Sequence, residues 1–225
     1  MKIILIDCGI LFPYEDFFDI NYLIPDLREV EHKISKIIIT HGHEDHIGAI
    51  HHYIEKFPEA EIYAPLFAKK LIENKLDYKS LSKKIKPLNN KIEFGAAAIT
   101  PIHVNHSIPD TKGLMITHDK LDTAVLFISD FKVDLNSPYE APINLDLIKD
   151  FSSKYKRRVA LLDSTNIMSK NLHTPSEGSV LKDLKEEMET TTGTTYITSF
   201  ASNIHRIQTI LTSCKRLKPF CYSIW

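Results

Sequence analysis

Cysteine is scarce: Cys8, Cys214 and Cys221 are three in 225 residues, with no C-x-x-C pair and an odd one left over. That excludes a secreted scaffold stapled by disulfides, and Cys8 reads as a small buried side chain. Long apolar runs are missing too. No stretch approaches the roughly 18 residues of a membrane span, and Met1-Lys2-Ile3-Ile4-Leu5-Ile6 is too short for a signal peptide. A cytoplasmic protein without membrane contact is expected. Net charge is lacking as well, at −1 from 28 basic and 29 acidic residues, so the total announces no extended nucleic-acid surface. Local basic clusters at Lys83-Lys84-Ile85-Lys86, Lys154-Tyr155-Lys156-Arg157-Arg158 and Lys215-Arg216-Leu217-Lys218 read first as solvated faces. There is no internal repeat or low-complexity stretch. What remains is an ordinary globular composition, long enough for one sizeable domain or one domain and part of another.

The densest chemistry lies in Thr40-His41-Gly42-His43-Glu44-Asp45-His46-Ile47-Gly48, directly behind the apolar run Lys36-Ile37-Ile38-Ile39. A β-branched run of that length predicts a buried strand. Gly42 lets the backbone turn tightly, and Ile47, Ile50, Ile54 and Phe57 recur at helical spacing from Asp45 onward. The loop is therefore held between a strand and an amphipathic helix. Three imidazoles and a carboxylate within six residues would repel as cations. As neutral nitrogens beside a carboxylate they suit zinc, or manganese as oxygen ligands increase.

A metal site needs donors from more than one element. Ala97 to Val104 predicts another strand, followed by Asn105-His106-Ser107-Ile108-Pro109-Asp110, and spacing alone leaves His103 and His106 as rivals. Lys2 to Ile6 predicts a strand delivering Asp7. Thr123 to Ile128 predicts one ending in Ser129-Asp130-Phe131-Lys132, and Val159 to Leu162 one delivering Asp163-Ser164-Thr165-Asn166. Ile62-Tyr63-Ala64 is a short strand, Pro65 opens a helix, and Leu145 to Tyr155 is helical. Further on, Thr174 caps a helix with Pro175 in its first turn and Glu177 reaching back as a capping box. Thr195 to Ser199 then predicts a strand leading into Phe200-Ala201-Ser202-Asn203-Ile204-His205-Arg206. There Ser202 or Asn203 either caps a helix or, with the free backbone N–H groups, binds phosphate.

H-x-H-x-D-H between strand and helix resembles the defining motif of the metallo-β-lactamase fold. HGHEDHIGAI, Ile6-Asp7-Cys8-Gly9 and the N-H-S-I-P-D segment together resemble the ribonuclease J branch of the β-CASP nucleases, along nearly the whole chain to about Gln208. The resemblance implies an α/β metallo-β-lactamase αββα sandwich over residues 1–172, followed at 173–225 by the beginning of a β-CASP domain. It selects His106 over His103. His41, His43 and His106 are implied to hold one metal, Asp45 and His46 a second, with Asp130 bridging, although Ser129 stands where the family usually has Gly. Asp7 supports the metal loop by hydrogen bonding, Asp45 and Asp163 are the catalytic acids, the latter orienting a histidine, and Ser202, Asn203 and Ile204 contact RNA.

The activity so implied is metal-dependent RNA phosphodiester cleavage with two zinc ions, or manganese. Against the family pattern this chain lacks a Gly-rich turn and strand before Lys2. It also lacks the H-x-S-G-H loop and the last metal-binding His beyond Gln208. The resemblance therefore implies an impaired nuclease, completed by a separately encoded C-terminal half or acting as a homo-oligomer. A hydrolase of small esters or thioesters, or a non-catalytic metal- or RNA-binding remnant, would keep the same metal loop.

Overall fold

The computed structural model describes residues 2–13, 19–76, 85–171 and 173–217. Cys221 and the side chains of Lys83, Lys84 and of Lys215 to Lys218 lie outside them. Two sheets form the frame. In the first, β1 (Ile3–Ile6), β2 (Ile34–Ile38), β3 (Glu61–Ala64) and β4 (Ile85–Pro87) lie in that order, all parallel. In the second, β5 (Ile92–Phe94), β6 (Ala97–His103), β7 (Lys112–His118) and β8 (Thr123–Ile128) run antiparallel, and β9 (Arg157–Leu162) adds parallel to β8. Three helices, α1 (Glu44–Ile47), α2 (Ile50–Tyr53) and α3 (Leu66–Lys75), belong to the first sheet's connections. The parallel neighbour in the second sheet needs a crossover, and α4 (Leu145–Ser153) supplies it.

The run Ile37-Ile38-Ile39 explains the layering. All three side chains are fully buried, yet successive residues of a strand point to opposite faces. Ile37 and Ile39 pack with Ile47, Ile50, Ile54 and Phe57 and with Ala68 and Ile72 of α3. Ile38 faces the other way and meets Ile92, Ile99 and Leu114 of the second sheet. Beyond that sheet, Ile102, Met115 and Ile128 pack against Ile148 and Phe151 of α4. Helices, sheet, sheet and helix thus stack as an αββα sandwich, as expected. Each such fully buried aliphatic side chain is worth about 2 kcal/mol of transfer free energy.

Several local readings are modified for tertiary reasons. The helix expected from Asp45 through Phe57 is two short helices, because Ala49 N–H donates to Cys8 O (2.9 Å) instead of continuing the helical pattern. Gly42 lies in a bend, as expected, although its backbone is not left-handed. A Cβ there would lie 2.8 Å from Leu71 and 3.3 Å from the Ala68 backbone, so glycine serves the close approach of α3. Residues 195–199 form no strand, since no described strand offers them backbone partners.

Two further helices, α5 (Glu177–Thr190) and α6 (Ile204–Leu217), pack on each other. The N-cap of α5 is Ser176, whose Oγ accepts from Gly178 N–H (3.0 Å), not Thr174. Glu177 does not reach back. Its carboxylate is buried between Lys132 Nζ (3.3 Å) and Arg206 Nη2 (3.2 Å), while Asp134 accepts from its backbone N–H (2.8 Å). Cations from the loop after β8 and from α6 outcompete a local backbone bond because a buried carboxylate without them would be left unpaired. Glu177→Gln keeps the shape but removes the charge. We expect it to lower stability by about 1–2 kcal/mol, read from urea unfolding, with no change if the cluster is only a solvated contact.

Candidate metal centre

Strand ends of both sheets deliver their acids and imidazoles to one place. β2 runs into Thr40, His41 and His43; β1 into Asp7; β6 into His106; β8 into Ser129 and Asp130. His43 Nδ1 lies 3.1 Å from both His41 Nε2 and His106 Nε2, and Asp130 Oδ2 is 3.5 Å from His106 Nε2. His41, His43, His106 and Asp130 form one group whose donor atoms lie within 4.8 Å of one another. Asp45, His46 and Asp130 form a second at the same spacing. Asp130 is common to both. His103, the rival by spacing, turns away, its Nε2 2.8 Å from Ala141 O.

Hydrogen bonds behind the imidazoles fix which nitrogen faces the cluster. Asp7 Oδ1 accepts from Thr40 N–H (2.7 Å), and Oδ2 lies 2.8 Å from both Thr40 Oγ1 and His46 Nδ1. A carboxylate only accepts, so His46 carries its proton on Nδ1 and presents Nε2 inward. Asp7 holds a left-handed backbone (φ 60°), a strained conformation that Asp tolerates better than most residues. His41 Nδ1 lies 3.0 Å from Thr40 Oγ1, and its Nε2 faces His43. His43 turns its other nitrogen, Nε2, to Ser202 O at 3.2 Å, so the loop before α6 rests on the cluster.

Charge divides the two groups. His41 is fully buried and its pKa is pushed far down, by loss of solvent first and then by the neighbouring imidazoles. His106 is lowered to about 4 by burial and His43. Both are therefore neutral donors at physiological pH. His46 goes the other way: burial opposes its charge, but hydrogen bonds to Asp130, Asp45 and Asp7 outweigh it and push it up to about 11. Asp45 is held low by His46. A proton thus sits among three carboxylates where a cation could bind, and the donor set suits zinc or manganese. Cation binding at Asp45, His46 and Asp130 should release about one proton and weaken about tenfold per pH unit as pH falls from about 9 to 6. Calorimetry in buffers of different ionisation enthalpy measures that release; buffer-independent enthalpies would rule it out.

Of the other residues singled out in the sequence, Asp163 directly follows β9, and its Oδ1 accepts from Thr165 N–H (2.8 Å) and Oγ1 (2.6 Å). Among the described residues it belongs to neither metal-capable group and has no histidine partner. Asn203 caps α6, its Oδ1 accepting from Arg206 N–H (2.9 Å). Sequence reasoning missed Glu140 and His205. Glu140 Oε1 accepts from Asp110 N–H (3.2 Å) and its Oε2 lies 3.4 Å from buried His205, which stacks on Tyr139. No local signal marks that strap, because its parts are far apart in the chain.

Two stacked sheets that converge histidines and aspartates on a shared carboxylate define an α/β sandwich with a metal-capable centre at its rim. The chain belongs to the metallo-β-lactamase superfamily, whose family model matches residues 2–131. It is similar to ribonuclease J of Synechocystis sp. (34% identical, 96% of this chain, 34% of the relative) and of Helicobacter pylori 26695 (35%, 91% and 30%). The chain thus spans about a third of the length of these curated relatives. A solved structure of a protein of unknown function from Enterococcus faecalis V583 shares the fold at TM-score 0.58 and 14% identity, covering 94% of this chain and 57% of that one.

Proposed function

We propose that the chain is the metal-binding part of a ribonuclease J-type phosphodiesterase acting on RNA. The observation that carries the reading is the pair of donor groups sharing Asp130, on a chain 31–35% identical to ribonucleases J. Bound there, two zinc or manganese ions would neutralise the scissile phosphate and acidify the attacking water. His41, His43 and His106 would hold one ion and Asp45 and His46 the other, with Asp130 shared by the two groups. Asp7 holds His46 in the tautomer that faces inward.

Ser202, Asn203 and the Ile204 backbone are assigned to substrate on the strength of the contact between Ser202 O and His43. The N–H groups of Asn203, Ile204 and His205 already donate to Phe200 O (3.0 Å), Ser202 O (3.1 Å) and Ser107 O (3.2 Å), so an RNA phosphate at that helix start would rely on the helix dipole and the exposed Ser202 beside the metal donors. Asp163 serves to orient a general-acid histidine. Residues 173–225 then belong to a β-CASP unit, in a cytoplasmic protein of RNA processing or decay.

The test incubates the purified chain, loaded with zinc or manganese, with 5′-monophosphorylated RNA, nitrocefin and a thioester. Metal-dependent RNA cleavage, abolished by chelation and by Asp130→Ala, is expected, with binding that weakens as salt is doubled. Among the described residues Asp163 has no histidine partner, so the rate should sit about 10²- to 10⁴-fold below that of a relative whose corresponding acid has one. Turnover of nitrocefin or thioester with none of RNA would overturn the proposal.

A further inference from the structure

We propose that Ser129 is a positioning residue of the metal centre, its hydroxyl clamping Thr40 and so tying the Asp130 loop of one sheet to the histidine loop of the other. The inference rests on the reading that these clusters bind metal.

Thr40 Oγ1 is fully buried at the meeting point of three groups: Asp7 Oδ2 at 2.8 Å, His41 Nδ1 at 3.0 Å and Ser129 Oγ at 3.0 Å. Its hydroxyl has one proton and two lone pairs. The Asp7 carboxylate is acceptor-only, so the Thr40 proton goes there. Both lone pairs then face His41 and Ser129, and each must donate. His41 is thereby held with its proton on Nδ1 and its Nε2 lone pair toward His43. Ser129 donates across the gap between the end of β8 and the end of β2.

That second bond matters because Asp130 is the next residue in the chain. Asp130 is shared by both donor groups, and it is nowhere else fastened to the histidine loop by an uncharged hydrogen bond among those described. Its other contacts are to His41, His46 and His106, which a metal ion would replace. Among the described residues, the direct link between the two loops that uses no donor atom of the centre is therefore Ser129 to Thr40. The group of Asp45, His46 and Asp130 has three donors against four in the other, so it depends more on where Asp130 is held.

The experiment compares the protein with Ser129→Ala and Ser129→Thr. Zinc affinities are measured by competition with a chelating dye, and the visible spectrum of the Co²⁺-loaded form reads coordination geometry. Ser129→Ala is expected to weaken the second equivalent of zinc about tenfold, the range typical of an outer hydrogen-bond partner, to weaken the first less, and to alter the Co²⁺ spectrum. Ser129→Thr, which keeps the hydroxyl, should restore both. Ser129→Ala with unchanged affinities and spectrum would overturn the assignment. So would a lowered melting temperature alone, or an affinity loss that Ser129→Thr does not rescue. If the unsubstituted protein binds no zinc, the metal reading fails, and this inference with it.

Discussion

On the proposed metal reading, replacing His43 with alanine should reduce the zinc held by the purified protein, by metal analysis, to background. His43 is the middle imidazole of its group, with Nδ1 at 3.1 Å from both His41 and His106. Its loss leaves two nitrogens and a carboxylate that no longer surround a common point, and it cuts the contact to Ser202 O. Loss of a direct donor should exceed the roughly 10- to 100-fold typical of an outer partner. His103→Ala supplies the contrast, because its Nε2 is turned to Ala141 O and away from the cluster. Zinc content should be unaltered there. If His103→Ala strips the metal and His106→Ala does not, the donor set is misassigned.

Gly9→Ala should be at least as damaging although it touches no donor atom. A Cβ on Gly9 would lie 1.5 Å from the carbonyl oxygen of Asp45, 2.0 Å from its carbon and 2.6 Å from the backbone nitrogen of His46. Those are backbone atoms and cannot swing aside. The segment after β1 docks there by Cys8 N–H to His46 O (2.8 Å), Ile10 N–H to Glu44 O (3.2 Å) and Ala49 N–H to Cys8 O (2.9 Å). Relief of the clash must push α1 away and carry Asp45 and His46 with it. We expect a loss of about 3 kcal/mol or more, seen as a lower urea midpoint, together with loss of the second equivalent of zinc. A variant as stable as the parent would show that the segment and α1 separate freely.

Much of the frame was legible because strands announce themselves by local period. The expected strand over Thr123 to Ile128 is β8 residue for residue, and those ending at Ile6 and Leu162 run to the same last residue. The stretch from Asp45 to Phe57 was legible in its faces and not in its continuity. Ile47, Ile50, Ile54 and Phe57 are all buried in one cluster, yet Cys8, far upstream in the chain, captures the amide that would have continued the helix. Thr195 to Ser199 had a strand's composition but no neighbour to pair with, and β-propensity is chiefly a measure of fit to a neighbouring sheet.

By itself the sequence determined the alternation that buries Ile37 and Ile39 on one side and Ile38 on the other, and the cluster of imidazoles waiting at that strand's end. Those follow from side-chain type and a repeat of two residues, which the chain carries locally. Only the tertiary structure decided that His106 and not His103 faces His43, that Glu177 pairs with Lys132 and Arg206 rather than capping its own helix, and that Ser129 reaches Thr40. Each of those outcomes is a distance between residues tens of positions apart. Such a distance is set by how two sheets stack and twist against each other, and no local pattern of residues encodes it.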